Sequence, residues 1–253
     1  MIKRRIIKSL VLCFLPVILG ACATISAPQY RLNYRVVAQG KSVLPKRVVL
    51  LGMRVSVRRF TSGGVAEPVK EWELNGKKNL QIAIDEYART NNEFQLIKLP
   101  TLLPHDQARV DESTALLFRV SDAAVSMPQF SAWESRFKKF DYTIGPSLSF
   151  LQQKTGAEAA LIVYGYDLVS SGGRVASQIL MSGLFGSLPS FGRAYMYMAI
   201  VDLRTGDILW ANNYSDRTNS FRKLYQAKLM VSHLMKSYPG IDAYAKYVKA
   251  KSR

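Results

Sequence analysis

YMYMAIVDLRTGDILWANNY, the stretch from Tyr195 to Tyr214, sets two apolar, aromatic-rich runs on either side of the polar tetrad Arg204-Thr205-Gly206-Asp207. Tyr195–Leu203 and Ile208–Tyr214 read as strands, because β-branched and aromatic side chains suit a pleated, half-buried surface. The tetrad reads as their hairpin turn, with Gly206 able to take positive φ without a Cβ clash. Downstream, Ser220 to Met235 carries Leu224, Ala227, Met230, Val231 and Leu234 on one helical face, which predicts a helix packed against that hairpin. Upstream, Ala159–Tyr164 (AALIVY) predicts a buried strand. A helix over Gly145–Lys154 precedes it, with Pro146 near its start, Leu148 and Leu151 inward and Gly156 as its stop. Gly172-Gly173 then leads into a helix over Val175–Phe185 and a Gly/Ser/Pro loop through Gly192, the whole expected to pack on the domain.

The first half is read in the same way. Arg47–Val57 (RVVLLGMRVSV) predicts one central strand, and Val69–Leu74 predicts a second after the Thr61–Gly64 turn. Asn75 is placed to cap a helix running to about Thr90, with Leu80, Ile82, Ala83, Ile84 and Tyr87 at helical spacings, and Phe94–Leu99 returns as a strand. Between 100 and 140 the pattern is weaker: Asp111-Glu112-Ser113 is placed to open a helix carrying Leu116, Leu117, Val120 and Ala124, and Pro128 stops it. This stretch reads as an insert or the rim of a site. The order β-β-α-β-(insert)-α-β-α-β-β-α predicts an α/β (α+β) fold, a mixed sheet with helices packed on its faces. The domain limits follow: one α/β domain over 47–238 with an insert at about 100–140, and a loosely held basic tail over 239–253.

The amino-terminal residues carry a different message. Lys3, Arg4, Arg5 and Lys8 precede a twelve-residue apolar stretch, Ser9 to Gly20, and no acid stands among them. That run is too short for a bilayer core, which needs roughly 20 apolar residues, and it fits the apolar region of a secretory signal. It ends Leu19-Gly20-Ala21-Cys22, which resembles the lipobox of bacterial lipoproteins. The resemblance implies that residues 1–21 are a signal peptide, that Cys22 is the lipidated amino terminus, and that 22–46 is a tether with at most a short strand at Tyr34–Ala38. The alternative is an uncleaved apolar amino terminus with a chance cysteine. Two or three acyl chains would anchor stably, at about 0.8 kcal/mol per buried methylene. Ala23, rather than aspartate, follows the cysteine, a pattern similar to outer-membrane delivery. The expected location is therefore the outer membrane, lipid-anchored and facing the periplasm, with inner-membrane retention or surface exposure as alternatives.

Charge and cysteine content narrow the partners. The chain carries +17, and its 35 cations less the four before Cys22 leave 31 against 18 acids, or +13. A basic surface favours anionic lipid or glycan, or it is simply a solvated surface; secretion argues against nucleic acid. Arg136-Phe137-Lys138-Lys139-Phe140 and Tyr244–Lys251 interleave aromatics with cations, a composition suited to lipid head groups and, in another compartment, to bases and phosphates. Only Cys13 and Cys22 are present, so no disulfide is expected.

The hairpin also carries a resemblance. Thr155-Gly156-Ala157 ahead of the 160–164 strand, and Val201-Asp202-Leu203-Arg204-Thr205-Gly206-Asp207-Ile208-Leu209-Trp210, are similar to α/β envelope lipoproteins. That group includes the curli-secretion lipoprotein, the lipoprotein activators of penicillin-binding proteins, and uncharacterised lipoproteins. Asp141-Tyr142-Thr143-Ile144-Gly145-Pro146 and Ser170–Arg174 are most similar to the uncharacterised members. The similarity covers roughly 141–236, with weaker support over 47–99. It implies a non-enzymatic, membrane-anchored accessory in envelope assembly, export or surface-structure biogenesis that binds another envelope protein. An oligomeric secretion channel, as the curli-secretion lipoprotein forms, and an unrecognised envelope hydrolase are the alternatives. Val175–Gly192 lacks the alternation of lipid-facing barrel strands, which counts against the channel.

Chemistry-bearing motifs are sparse. Neither a Gly-x-Ser-x-Gly elbow nor a phosphate loop occurs. No cofactor fingerprint is present, and His105 and His233 lack the neighbours a zinc site needs. His105 reads as an exposed loop residue and His233 as a partly buried packing residue. Gly172-Gly173-Arg174 could hold an anion through free amides or simply start a helix. Asp202 and Asp207 are near enough in sequence to be weighed as an acid–base pair, yet Asp202, Thr205, Gly206 and Trp210 also have a structural reading: two turn-bonding side chains, a turn glycine and a packing indole. No enzymatic activity is expected.

Overall fold

The structure is a computed structural model that describes residues 30–126, 139–185 and 192–250. The expected signal peptide, Cys22, the start of the tether, Pro128, Trp133–Lys138 and the end of the loop before Gly192 lie outside the described residues.

The longest strand organises the sheet. β1 (Arg31–Leu32) and α1 (Tyr34–Gln39) open the chain, followed by β2 (Arg47–Leu50), β3 (Arg54–Phe60), β4 (Ala66–Pro68), α2 (Lys70–Asn91), β5 (Gln95–Ile97) and α3 (Pro104–Ser126). α4 (Phe150–Thr155), β6 (Ala159–Ser170), α5 (Gly172–Phe185), β7 (Gly192–Asp202), β8 (Ile208–Asp216), α6 (Leu224–Met235) and α7 (Ile241–Ala250) complete it. The sheet runs β1-β8-β7-β6-β2-β5, with β3 also on β6 and β4 on β3. β6, β7 and β8 form an antiparallel meander, β2 runs parallel to β5 and β6, and β3 runs parallel to β6 but antiparallel to β4. The mixed sheet with helices on both faces agrees with the expected class.

Arg47–Val57, expected as one strand, is two strands in line on the same partner. Leu50 pairs with Leu161 and Arg54 with Tyr164, so the β2–β3 side spends four steps where β6 spends three. One residue too many against a partner is a bulge, and it shifts the alternation. Val48 and Leu50 face one core before the bulge, and Met53 and Val55 face it afterwards.

That first core lies under α2, α6 and α7. Leu80, Ala83, Ile84 and Ala88 of α2 meet Met230, Val231 and Leu234 of α6 over Leu161, Val163, Met196, Met198 and Trp210. The second core, on the opposite face, joins Val110 and Leu117 of α3, Leu148 and Leu151 to Val49, Ile162, Ala199 and Val201. The 100–140 segment is therefore not an insert over its described part: α3, starting at Pro104 rather than Asp111, is a layer of the fold. Fully burying each large aliphatic side chain contributes roughly 1.5–3 kcal/mol.

Three other expectations change. Val69–Leu74 is not a strand, and Asn75 is not a cap, because α2 begins at Lys70. Its start lies over the sheet, where a Cβ on Gly76 would come within 3.2–3.4 Å of Val57, Phe221 and Val55. Tyr34–Ala38 is helix, not strand, capped by Asn33 Oδ1, which accepts from the Arg35 amide at 3.0 Å. The tether reading of 22–46 ends at Tyr30: Tyr30, Leu32 and Val36 are in the first core. The tail reading of 239–253 fails for the same reason, since Tyr244 of α7 is buried against Tyr30, with ring centroids 5.9 Å apart. α5 forms as expected, but it does not pack: Ile179, Leu180, Met181 and Leu184 are 54, 65, 48 and 66% exposed.

Candidate functional site

The turn residues expected to matter are assembled at one corner of the second core. Asp202 Oδ1 accepts from the amides of Arg204 (2.8 Å) and Thr205 (3.0 Å), and the Gly206 amide donates to the Asp202 carbonyl at 2.8 Å. Thr205 Oγ1 accepts from the Asp207 amide at 3.3 Å. Gly206 has φ +76°, and a Cβ there would overlap the Gly145 carbonyl oxygen. The chain at 143–145 lies against the turn: the Ile144 amide donates to Gly206 at 2.9 Å, and Thr143 Oγ1 donates to the Thr205 carbonyl at 3.3 Å. Asp207 is ion-paired with Arg35 of α1. Trp210 lies fully buried on the other face, edge-on to Tyr238 at 5.4 Å. Asp202 therefore bonds its own turn and Asp207 holds an arginine. Neither faces a cleft as one of two carboxylates would for acid–base chemistry.

The histidines separate as well. His105 is 70% exposed beside Asp106, whose carboxylate Lys154 Nζ approaches at 2.6 Å. Hydrogen bonding from Lys154 holds the Asp106 carboxyl below its usual range. His233 is exposed on α6 and stacks on Tyr214 at 4.3 Å. Among the described residues, no three His, Cys, Asp or Glu side chains gather as a metal site would require.

The concave surface follows α2. A cleft of about 440 Å³ is lined by Arg54, Ser56, Lys70, Glu73, Lys77 and Tyr164. It shares Met53 and Lys77 with a cleft of about 640 Å³ at the bulge, Leu50–Met53, which continues past Gln81, Asp85 and Lys98. That one shares Asp85 and Leu96 with a third, of about 610 Å³, at Arg89, Asn92 and Gln95. Together they make one furrow along α2, from β3 past the bulge to β5, whose outer edge is unpaired among the described residues. Ser56 Oγ donates to Glu73 Oε1 at 3.1 Å, and Gln81 Nε2 to Asp85 Oδ1 at 3.1 Å. Glu73 and Asp85 are twelve residues apart on one helix, roughly 18 Å along the axis, beyond the 6.5–9.5 Å that lets two carboxylates share a glycosidic bond. The furrow can accept a chain or a flat surface.

Two acids that the sequence reading passed over hold the far end of the sheet. Asp167, in the apolar run of β6, is 1% exposed and accepts from Ser220 Oγ (2.6 Å) and the Phe221 amide (3.0 Å). Burial pushes its carboxyl up. Asp216 accepts from the amides of Thr218 and Asn219 at 2.6 and 2.9 Å and from both of their side chains. Burial opposes its charge, and these bonds outweigh burial, holding the carboxyl well below the usual range. The Asp-x-Thr-Asn spacing at 216–219 is the sequence signal for such a turn. Nothing in the sequence marks Asp167 beyond its isolation among apolar neighbours.

At the amino-terminal end, Tyr30 is the first described residue. Its hydroxyl donates to the Gly240 carbonyl at 2.7 Å, and the next two residues pair with β8, Arg31 with Ala211 and Leu32 with Trp210. Eight Cα–Cα steps separate Cys22 from Tyr30, so that link cannot exceed roughly 28 Å.

No family model matches the chain, and no curated protein matches it in sequence. Among solved structures it is similar to the LpoB C-terminal domain from Salmonella enterica, at 15% identity and a TM-score of 0.26, over 72% of this chain and 93% of that one. Superposition at that level transfers neither a partner nor a role.

Proposed function

We propose that this chain is a lipid-anchored, periplasm-facing lipoprotein that acts without chemistry of its own, binding another envelope component close to the bilayer. The observation that carries the reading is the lipobox-like Leu19-Gly20-Ala21-Cys22 standing only eight residues before the packed Tyr30. A tether of at most roughly 28 Å keeps the domain beside the membrane rather than letting it range through the periplasm. Such confinement raises the effective concentration of a partner in the same membrane.

The partner surface in this reading is the furrow along α2 and β5, where Lys77, Arg89, Lys98 and the edge of β5, unpaired among the described residues, offer cations and backbone groups. Edge strands are ready templates for an added strand. The furrow thus suits an extended segment of an envelope protein that bears acidic residues.

The test is in cells. Intact mass of the purified chain reads the anchor: cleavage before Cys22 with added acyl mass is expected, and an unprocessed or unacylated chain sinks the location. A photo-crosslinking residue at Lys77 or Arg89 reads the partner. One envelope protein captured there and not from Lys41 is expected, and equal capture from all three positions counts against the furrow.

A further inference from the structure

α5 follows β6 and precedes β7, so it lies off the end of the sheet where Ser170 and Phe60 pair and Ala194 and Asp216 pair. Its sequence from Val175 to Phe185 holds no charged residue, and Ile179, Leu180, Met181 and Leu184 are about half or more exposed. At 14 residues it is roughly 21 Å long, shorter than the roughly 30 Å hydrocarbon core. No helix among the described residues is long and apolar enough to cross a membrane. An apolar helix of this length left in water exposes a patch that normally marks an interaction surface.

Cations gather around its base. Arg193, Arg217, Arg222 and Lys223 line one cavity of about 130 Å³ at this end of the sheet. Arg174 stacks on Phe60 at 3.7 Å. The acids nearby are already engaged: Asp167 is buried under Ser220, Asp216 is bonded into its turn, and Glu67 pairs with Arg59 at 2.7 Å. Arg222 also lies over the Trp72 ring at 4.4 Å and Arg193 donates to Ser215 at 3.0 Å, so Arg217 and Lys223 are the cations of this cluster that stand beside the uncharged stretch Val175–Phe185.

The start of the chain comes from the same side. Because Arg31 pairs with Ala211 and Leu32 with Trp210 in antiparallel register, the chain enters β1 from the Asp216 end. The four residue steps of β8 from Asn212 to Asp216 span about 13 Å, which leaves at most roughly 15 Å of the link to Cys22 beyond the end of the sheet.

We propose that α5 and the arginines at its base dock on an anionic phospholipid surface, with the apolar side chains of α5 entering the interface and the cations resting on head groups. The proposal rests on the anchored reading for the length of the link, and it gives the domain one orientation: α5 toward the lipid and the outer half of the furrow, at Arg89 and Asn92, away from it. A helix of this kind binds through buried apolar area together with attraction to anionic lipid.

The experiment uses the full mature chain, acylated as the cell makes it, carrying one environment-sensitive fluorophore at Leu184→Cys or, as control, at Arg89→Cys on the opposite end of α2. Each protein is reconstituted with vesicles of phosphatidylglycerol and phosphatidylcholine containing spin-labelled lipid. The expected result is quenching of the Leu184 label by the lipid-borne quencher with little at Arg89, and weaker quenching in vesicles of phosphatidylcholine alone. Arg217→Gln and Lys223→Gln should each lower the docked-to-undocked ratio about fivefold, as removal of about 1 kcal/mol per cation requires. Equal quenching at the two positions overturns the proposal. So does a Leu184 label that escapes both lipid-borne and aqueous quenchers, because a second copy or another protein then covers the helix. Failure of the anchor is read separately, as a missing acyl mass, and leaves the Leu184 result interpretable with added vesicles.

Discussion

Gly206 has no room for a side chain, and its backbone is in the left-handed region. Gly206→Ala should therefore destabilise the domain by about 2 kcal/mol or more, from positive φ and a forced shift of the Gly145 carbonyl, measured as a lower urea midpoint at unchanged slope. Asp216 makes a prediction in pH. Its folded carboxyl titrates below the unfolded reference of 3.8, so its stabilisation is complete above that value and is lost as pH falls toward the folded value. The stability gap between wild type and Asp216→Asn should be widest near neutrality and should close as pH drops below about 3.8, followed by chemical denaturation across pH. Asp167 has the opposite sign: its raised carboxyl takes stability away as pH rises above 3.8. The turn at 202–207 was legible because Asp, Thr and Gly declare their backbone partners locally. Asp167 was not, since its partners Ser220 and Phe221 lie more than fifty residues away.

Strands with strong apolar character were readable as elements: β7 and β8 lie where they were expected, while β6 runs six residues beyond its expected end at Tyr164, to Ser170. What composition could not reveal was register. A single extra residue between Leu50 and Arg54 divides one apparent strand into two, and only the partner strand makes it visible. The ends of the domain were misjudged for a related reason. Residues 30–43 and 241–250 mix apolar side chains with cations, yet each supplies a few side chains to a shared pocket: Tyr30, Leu32 and Val36 from one, Tyr244 with Ile241 and Val248 from the other. Tyr244→Ala should cost about 3 kcal/mol and should loosen α7 and β1 together, seen as faster amide exchange at Arg31 and Leu32. If α7 were a loosely held tail, the substitution would leave that exchange unchanged.

For the whole molecule, the sequence carried net charge and a lipobox-like start, while the arrangement of the charges needed the fold. A net charge of +17 says only that anions are attracted; the sheet is what brings Arg193, Arg217, Arg222 and Lys223 from separate segments to one end. Likewise, the signal-like start suggested a 25-residue tether, and packing shortens it to eight. Inserting about twenty Gly/Ser residues before Tyr30, which would raise the r.m.s. reach of the link from roughly 16 Å to roughly 29 Å, should leave the melting temperature unchanged while reducing crosslinking at Lys77 several-fold. Unchanged crosslinking would mean that closeness to the bilayer plays no part in partner capture.

The antiparallel seating of β1 also determines how the domain bears load. A pull on the chain before Tyr30, directed toward the Asp216 end, acts along the strand rather than across it. The two β1–β8 pairs, the Tyr30 hydroxyl on Gly240 and the Asn33 amide on Leu209 then resist in shear, all at once. Tension that would peel an edge strand open one bond at a time from the other direction must here break the whole clasp together.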